Sequence, residues 1–272
     1  MRIAFESALV TGASGGIGRA IAVKLAQEGV RRIAIHYRSR RDRAEETLAA
    51  VKAAGGDGML LAGDTSDATR MTALVDEAAQ GLGGCDIFVQ CAVPPLPDIY
   101  AHTLATSVPL DKWQLGFDTQ ARAFFVGAPR AATFMRKGGR ILALSYRTGA
   151  MTGSWQPWVG MGSAKAALES MCRYFAVALA RDGVTVNAVS PLCSDDTTLF
   201  GQFPPEGRQA VKDWAASGWA PMRRLATAAD VANTCALLCS EEASFITGQS
   251  IAVDGGTSLM SADFPLAVQL PA

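Results

Sequence analysis

Seven short apolar runs punctuate the chain, at residues 7–10, 32–37, 59–62, 86–91, 140–145, 185–189 and 250–253. They lack the polar and apolar alternation of a strand with one wet face, which predicts strands covered on both sides. Between them, longer stretches near residues 16–28, 42–54, 68–81, 112–136, 164–180 and 228–238 carry apolar residues at helical spacing. Strand and helix in strict alternation predict an α/β fold with a doubly wound, seven-stranded parallel sheet, helices on both faces, and ligands at the carboxyl ends of the strands. Two irregular stretches break the pattern, 93–109 and 192–221. Both follow strands, so both should overhang that same end. The second is long for a structureless connection and reads as a substrate lid; a surface excursion with a short helix at 207–216 is the plainer alternative.

Composition narrows the setting. At 272 residues, with 49% hydrophobic and 18% charged positions, the chain can bury a large core and is expected to form a single domain over residues 1–272. Twenty-five basic residues balance 25 acidic ones, so no net field draws it to nucleic acid or to an anionic membrane. Neither a long uncharged apolar stretch nor a signal-peptide core is present, and the expected setting is cytoplasmic. The six cysteines (Cys85, Cys91, Cys172, Cys193, Cys235, Cys239) show no CxxC spacing, and two histidines are few for a zinc site; reduced thiols and no metal are expected. Cys235 and Cys239, four apart, should share the core side of a helix.

Candidate chemistry begins at Thr11-Gly12-Ala13-Ser14-Gly15-Gly16-Ile17-Gly18, between the first strand and the first helix. Glycines there let backbone approach a pyrophosphate, and the positive helix end stabilises its charge. Gly12, Ser14, Gly16, Ile17 and Gly18 are therefore cofactor candidates. At the end of the second strand, Tyr37-Arg38-Ser39 stands where an acid would favour a free ribose. Arg38 offers a charged fork and Ser39 a hydroxyl to a 2′-phosphate, which selects NADPH (NADP+) over NADH. Arg41 and Arg43 read as a solvated basic start to the next helix. Asp64 and Thr65, ending the third strand, can hydrogen-bond an adenine edge. Leu199, Phe200, Phe203, Trp214 and Trp219 give the lid apolar surface for a hydrophobic substrate, or else fasten the lid to the body. Pro94-Pro95-Leu96-Pro97 stiffens the opposite rim.

The glycine turn, Asp64, the lysine of Met161-Gly162-Ser163-Ala164-Lys165, Ser190-Pro191 and Val253-Asp254-Gly255-Gly256 resemble the short-chain dehydrogenase/reductase superfamily over essentially the whole chain. Leu144-Ser145-Tyr146, and the segment from Trp158 to Glu169, most resemble NADPH-dependent enoyl-acyl-carrier-protein reductases. The resemblance implies a Rossmann-type fold, cofactor contacts from Cys91, Ala92 and Pro191, Lys165 on the nicotinamide ribose, a hydrophobic or acyl-carrier-linked substrate, and a homotetramer or homodimer. The chain also departs from the pattern. The superfamily tyrosine four residues before the lysine is Met161 here, and the enoyl-reductase tyrosine seven residues before it is Trp158. The usual Asn-Asn-Ala-Gly after the fourth strand reads Gln90-Cys91-Ala92-Val93, and the helix asparagine aligns with Gln120.

Chemistry weighs these losses. Ketone reduction must deliver a proton to a developing alkoxide, and an indole N–H cannot release one at neutral pH. Reducing an enoyl thioester leaves an enolate, which mainly needs hydrogen-bond donors at its oxygen, while water protonates carbon. Tyr146 is the best remaining donor, with Ser145 and Trp158 as assistants and Lys165 raising the acidity of a nearby O–H. An enoyl-thioester reductase is the first expectation. A carbonyl reductase of specialised metabolism with a non-standard proton donor, and a catalytically silent NADP-binding protein, remain open.

Overall fold

Strand residues that are apolar on both sides cannot rest on a single helical layer, and the molecule answers with two. The computed structural model describes residues 3–100, 103–135, 138–146, 156–192, 194–261, 263 and 265–269. In chain order these form β1 (Ser7–Val10), α1 (Gly16–Gln27), β2 (Arg32–Tyr37), α2 (Arg41–Ala53), β3 (Asp57–Ala62), α3 (Ala68–Leu82), β4 (Ile87–Gln90), α4 (Leu96–Ile99), α5 (Leu110–Phe117), α6 (Ala123–Ala132), β5 (Gly139–Leu144), α7 (Val159–Leu179), β6 (Val184–Pro191), α8 (Thr198–Gly201), α9 (Pro205–Trp214), α10 (Ala228–Cys239), β7 (Ser250–Val253) and α11 (Leu266–Gln269). One sheet runs β3-β2-β1-β4-β5-β6-β7 with every pair parallel. The chain leaves β1 towards β2 and β3, then crosses back to β4 on the other side of β1. The crevice beyond β1 and β4 is thus a topological switch point, where doubly wound sheets bind ligands.

Successive side chains of a strand point to opposite faces, and at the five inner strands both faces are dry, while the edge strands β3 and β7 are only partly buried. Val10, Ile33, Ile35, Val89 and Leu142 pack with Ile21 and Leu25 of α1 and Val231, Cys235 and Cys239 of α10. Leu9, Ala34, Phe88, Ile141 and Ala143 face the other way, against Met71 and Leu74 of α3, Phe124 of α6, and Leu168 and Cys172 of α7. Each fully buried Leu, Ile or Phe contributes about 2 kcal/mol. The paired cysteines of α10 are core packing. Among the described residues, no helix is long and apolar enough to cross a membrane.

Beyond shifts of up to two residues at element ends and the short helices α4 and α11, which the pattern did not predict, three stretches differ from the sequence expectation. The helix expected over 112–136 is divided into α5, a π turn at Asp118–Arg122, and α6, which ends at Ala132; Arg136 lies outside the described residues. The wider π turn leaves the Thr119 carbonyl to accept from Gln90 Nε2 at 3.1 Å and from Thr65 Oγ1 at 3.4 Å, which ties the strand ends to this helix. The helix expected from residue 164 begins at Val159. Gly160 and Gly162 weaken its first turns as a sequence signal, but the Ser163 hydroxyl donates back to Val159 O at 2.8 Å and accepts from Trp113 Nε1 at 2.9 Å, docking α7 on α5. The stretch 192–221 is built rather than structureless: α8, α9 and a π turn at Ala215–Trp219 fill it. Its neck is pinned where Ser194 bridges Ala226 and where Ala228 N donates to Asp196 Oδ1 at 2.8 Å.

Candidate active site

The glycine turn is fixed by steric necessity. Gly12 has φ +67°, and a Cβ there would lie 2.8 Å from Ala92 Cα. A Cβ on Gly18 would lie 2.4 Å from Gly12 O. The turn therefore nests against the β4 end on one side and the first turn of α1 on the other, which aims the unsatisfied N–H groups of α1 into the crevice. The hydroxyl of Thr11 clamps the same junction, accepting from Cys91 N at 2.9 Å and Ala92 N at 3.1 Å while donating to Gln90 Oε1 at 3.1 Å.

His36 closes the seat from below. Its Nδ1 accepts from Gly12 N at 3.1 Å, which leaves Nε2 to donate to Gly63 O at 3.1 Å. One neutral ring thus holds the glycine turn to the end of β3. Burial pushes its pKa from 6.5 down to about 4, against the opposing bond to Gly63. A folded pKa below the unfolded value means that the unfolded chain binds the proton first. Stability is therefore full above pH 6.5 and is lost as pH falls towards 4, by about 3 kcal/mol in all. Urea midpoints measured between pH 7 and pH 4 should fall accordingly, and in His36→Gln this part of the slope should disappear.

All the expected cofactor and catalytic residues line one cleft of about 490 Å³. Gly12, Ser14, Gly16, Ile17 and Gly18 come from the turn; Tyr37, Arg38 and Ser39 from the end of β2; Asp64 and Thr65 from the end of β3; Cys91 and Ala92 from the end of β4. Ser145 and Tyr146 follow β5, Trp158, Met161 and Lys165 belong to the start of α7, and Pro191 ends β6. The cleft also takes in Arg40, Arg43, Thr119 and Gln202, which sequence reasoning missed. Arg43 is exposed in the first turn of α2, as expected, and also borders the cleft, whereas Arg41 pairs with Glu45 at 2.9 Å away from it. Only the geometry of the β2–α2 junction separates the two. Arg38 Nη2 lies 3.6 Å from Asp98 Oδ2, both half-exposed, so the α4 rim reaches over the basic end. Asp64 works against partial burial, but the Ser66 amide and hydroxyl, with the Arg38 charge, hold its carboxyl below the ordinary range.

At the other end the wall is aromatic. Trp158 lies between Tyr146, with ring centroids 5.9 Å apart, and Tyr100, at 6.3 Å; Phe203 meets Tyr100 edge-on at 6.3 Å. Leu96, Ile99 and Met161 complete this apolar cluster. Of the lid residues expected to cover substrate, Phe200 and Phe203 do line the cleft. Trp214 packs instead with Leu192, Phe200, Ala215, Ala220 and Leu225 under the excursion, Trp219 lies outside the lining, and the side chain of Leu199, like Cys193, is outside the described residues. Leu96 N donates to Gln202 Oε1 at 2.8 Å, joining the rim after β4 to the excursion after β6.

Lys165 is buried, and its Nζ donates to Leu144 O at 2.5 Å. Burial pushes its pKa down to about 8, opposed by Cys91 and Glu169, so it is mainly cationic at neutral pH. Burial drives the Cys91 thiol up to about 11, which leaves a neutral wall and no nucleophile.

A glycine turn at a switch point, a basic pocket at the end of β2 and a buried lysine beside the end of β5 define an oxidoreductase of the dinucleotide-binding α/β class. The chain belongs to the short-chain dehydrogenase/reductase superfamily: the model of the family described as Enoyl-(Acyl carrier protein) reductase matches residues 12–258. It is similar to 1-cyclohexenylcarbonyl-CoA reductase of Streptomyces collinus, 36% identical over 98% of this chain and 93% of that one. Its similarity to 3-oxoacyl-[acyl-carrier-protein] reductase FabG of Staphylococcus aureus is 33% identity over 92% and 97%. A short-chain dehydrogenase from Burkholderia cenocepacia J2315, solved in complex with NADP, superposes with a TM-score of 0.81 at 30% identity, covering 93% of this chain and 97% of that one.

Proposed function

We propose that the protein is an NADPH-dependent reductase of the C=C bond of an enoyl thioester. The observation that carries this reading is the pair of side chains at the two tyrosine registers. Trp158 and Met161 are both buried and both line the cleft, and neither is a proton acid. A ketone would find no phenol at either position, whereas a thioester enolate needs only a donor at oxygen. A relative named as a reductase of a cyclohexenylcarbonyl-CoA, an enoyl thioester by its name, supports the same choice.

The residues fit the cofactor. Gly12 and Gly18 let the turn pack against the β4 end and the start of α1 where a Cβ would meet backbone, which sets the turn at the mouth of the cleft, and Arg38, Arg40 and Arg43 gather at the pocket where a 2′-phosphate would lie. NADP bound in a structural neighbour supports the same cofactor here. Gly12, Ser14, Gly16, Ile17 and Gly18 would hold the pyrophosphate, Tyr37, Arg38 and Ser39 the phosphorylated ribose, Asp64 and Thr65 the adenine, and Cys91, Ala92, Lys165 and Pro191 the nicotinamide half. When bound, the reduced nicotinamide supplies hydride to the β-carbon. The chain's own task is then at oxygen. Tyr146, the phenol beside Trp158, donates to the thioester oxygen as charge builds there, and the Lys165 cation strengthens that donor. Trp158 and Met161 wall the acyl group and exclude water from it, and solvent protonates the α-carbon. Exposed Phe125, Tyr174 and Val177 on α6 and α7 give a face on which a second copy would pair, as expected for a dimer or tetramer.

The test is NADPH oxidation followed at 340 nm. A trans-2-enoyl-CoA should exceed its 3-oxoacyl counterpart at least tenfold in kcat/KM. Turnover of ketones alone would establish the carbonyl-reductase reading, and tight NADPH binding without turnover of either would establish a silent binding protein. Replacing Arg38 by alanine should weaken NADPH binding by about 10- to 100-fold, the size of a lost charge-assisted hydrogen bond, and move NADH affinity little. Fluorescence titration with each coenzyme reads the difference.

A further inference from the structure

Ser145 reaches the cleft at the end of β5, where a serine is expected to offer its hydroxyl proton to substrate. Its hydrogen bond runs the other way. The Ser145 hydroxyl donates to Glu169 Oε1, and both side chains are buried. Glu169 sits one turn after Lys165 on the inner face of α7, does not line the cleft, and therefore touches no substrate. Lys165 donates to the carbonyl of Leu144, the residue before Ser145. Two adjacent residues of the β5 end are thus latched to two residues one helical turn apart.

A hydroxyl has one proton, and this one is spent inside the protein. What Ser145 turns to the cleft is lone-pair density, which repels a carbonyl or enolate oxygen. We propose that Glu169 is a positioning residue: by taking the only hydroxyl proton of Ser145 it removes that serine from the donors facing the substrate oxygen and directs the oxygen to Tyr146. This rests on the enoyl-thioester reading and deepens it. The charge of Glu169 also accompanies the Lys165 cation in the interior, with Cys91 approaching from β4.

Two double-mutant cycles with Ser145→Ala and Glu169→Met test it, and their signs should be opposite. In urea unfolding, Ser145→Ala should cost less in the Glu169→Met background than in the parent, because the bond is already gone. In kcat/KM for a trans-2-enoyl-CoA at pH 6, Ser145→Ala should cost at least fivefold more in that background, because there the serine proton is free to serve the substrate. Glu169→Gln, which keeps an acceptor oxygen, should behave as the parent in the activity cycle. An additive stability cycle overturns the bond. An activity cycle with the same sign as the stability cycle overturns the proposal, since Glu169 would then only prop the serine. If ketones alone are turned over, the enoyl reading fails while both cycles can still be run on the ketone. If nothing is turned over, that reading falls together with the steering claim, and the stability cycle still reports on the bond.

Discussion

Tyr146→Phe should lower kcat/KM for an enoyl thioester by about 10²- to 10³-fold, the usual cost of removing one donor from a developing oxyanion. The loss should fall on kcat, because the hydrogen bond gains most of its strength as charge moves onto oxygen. NADPH affinity, read by fluorescence, should hardly change, since the tyrosine lies at the aromatic end of the cleft beside Trp158. Phenylalanine keeps the ring contact and removes only the O–H, so a small effect would place the donor elsewhere. Trp158→Tyr puts a phenol back at the enoyl-reductase register, and in a Tyr146→Phe background it should restore part of the lost rate.

Gly12→Val should abolish coenzyme binding and destabilise the fold as well. A β-branched residue at φ +67° is strained in any surroundings, and its Cβ would start 2.8 Å from Ala92 Cα. The atoms it would meet, Ala92 Cα and Ala92 N, are backbone and cannot rotate away. The strain alone is worth about 1–3 kcal/mol, and the close contact adds to it. Relief requires the turn to part from the β4 end, which breaks the two hydrogen bonds that Cys91 N and Ala92 N donate to the Thr11 hydroxyl. Titration calorimetry with NADPH should show no heat, and thermal unfolding should occur several degrees lower.

These two positions show what a sequence makes legible. Gly12 declares itself, because a glycine between a buried strand and an amphipathic helix has few uses other than a close backbone approach. The inner strands declare themselves for a related reason: burial on both faces leaves apolar runs such as Ala8-Leu9-Val10, whereas the edge strands β3 and β7 are only partly buried and the polar residues of β6 blur its limits. Local propensity served less well where tertiary contacts decide. Gly160 and Gly162 hid the start of α7, and nothing in the sequence near Thr119 announces a π turn whose carbonyl is claimed by Gln90 and Thr65. His36 could have been suspected, as a lone polar ring in an otherwise apolar strand. The direction of the Ser145 proton could not, since its acceptor lies 24 positions away on another element. The lid aromatics were legible as a group and not singly: Phe200 and Phe203 face the cleft, while Trp214 holds the excursion together.

The contacts that shape the coenzyme seat are of two electrical kinds. Thr11, His36, Gln90 and Thr119 bind it through buried, uncharged hydrogen bonds, whereas Arg38, half-exposed beside Asp98, meets the solvent. Dissolved ions screen only the second kind over distances of about 10 Å. With Arg38 on the 2′-phosphate as proposed, raising ionic strength should loosen that grip while leaving the seat in shape, so the advantage of the phosphorylated coenzyme over its plain counterpart should narrow in brine without loss of fold.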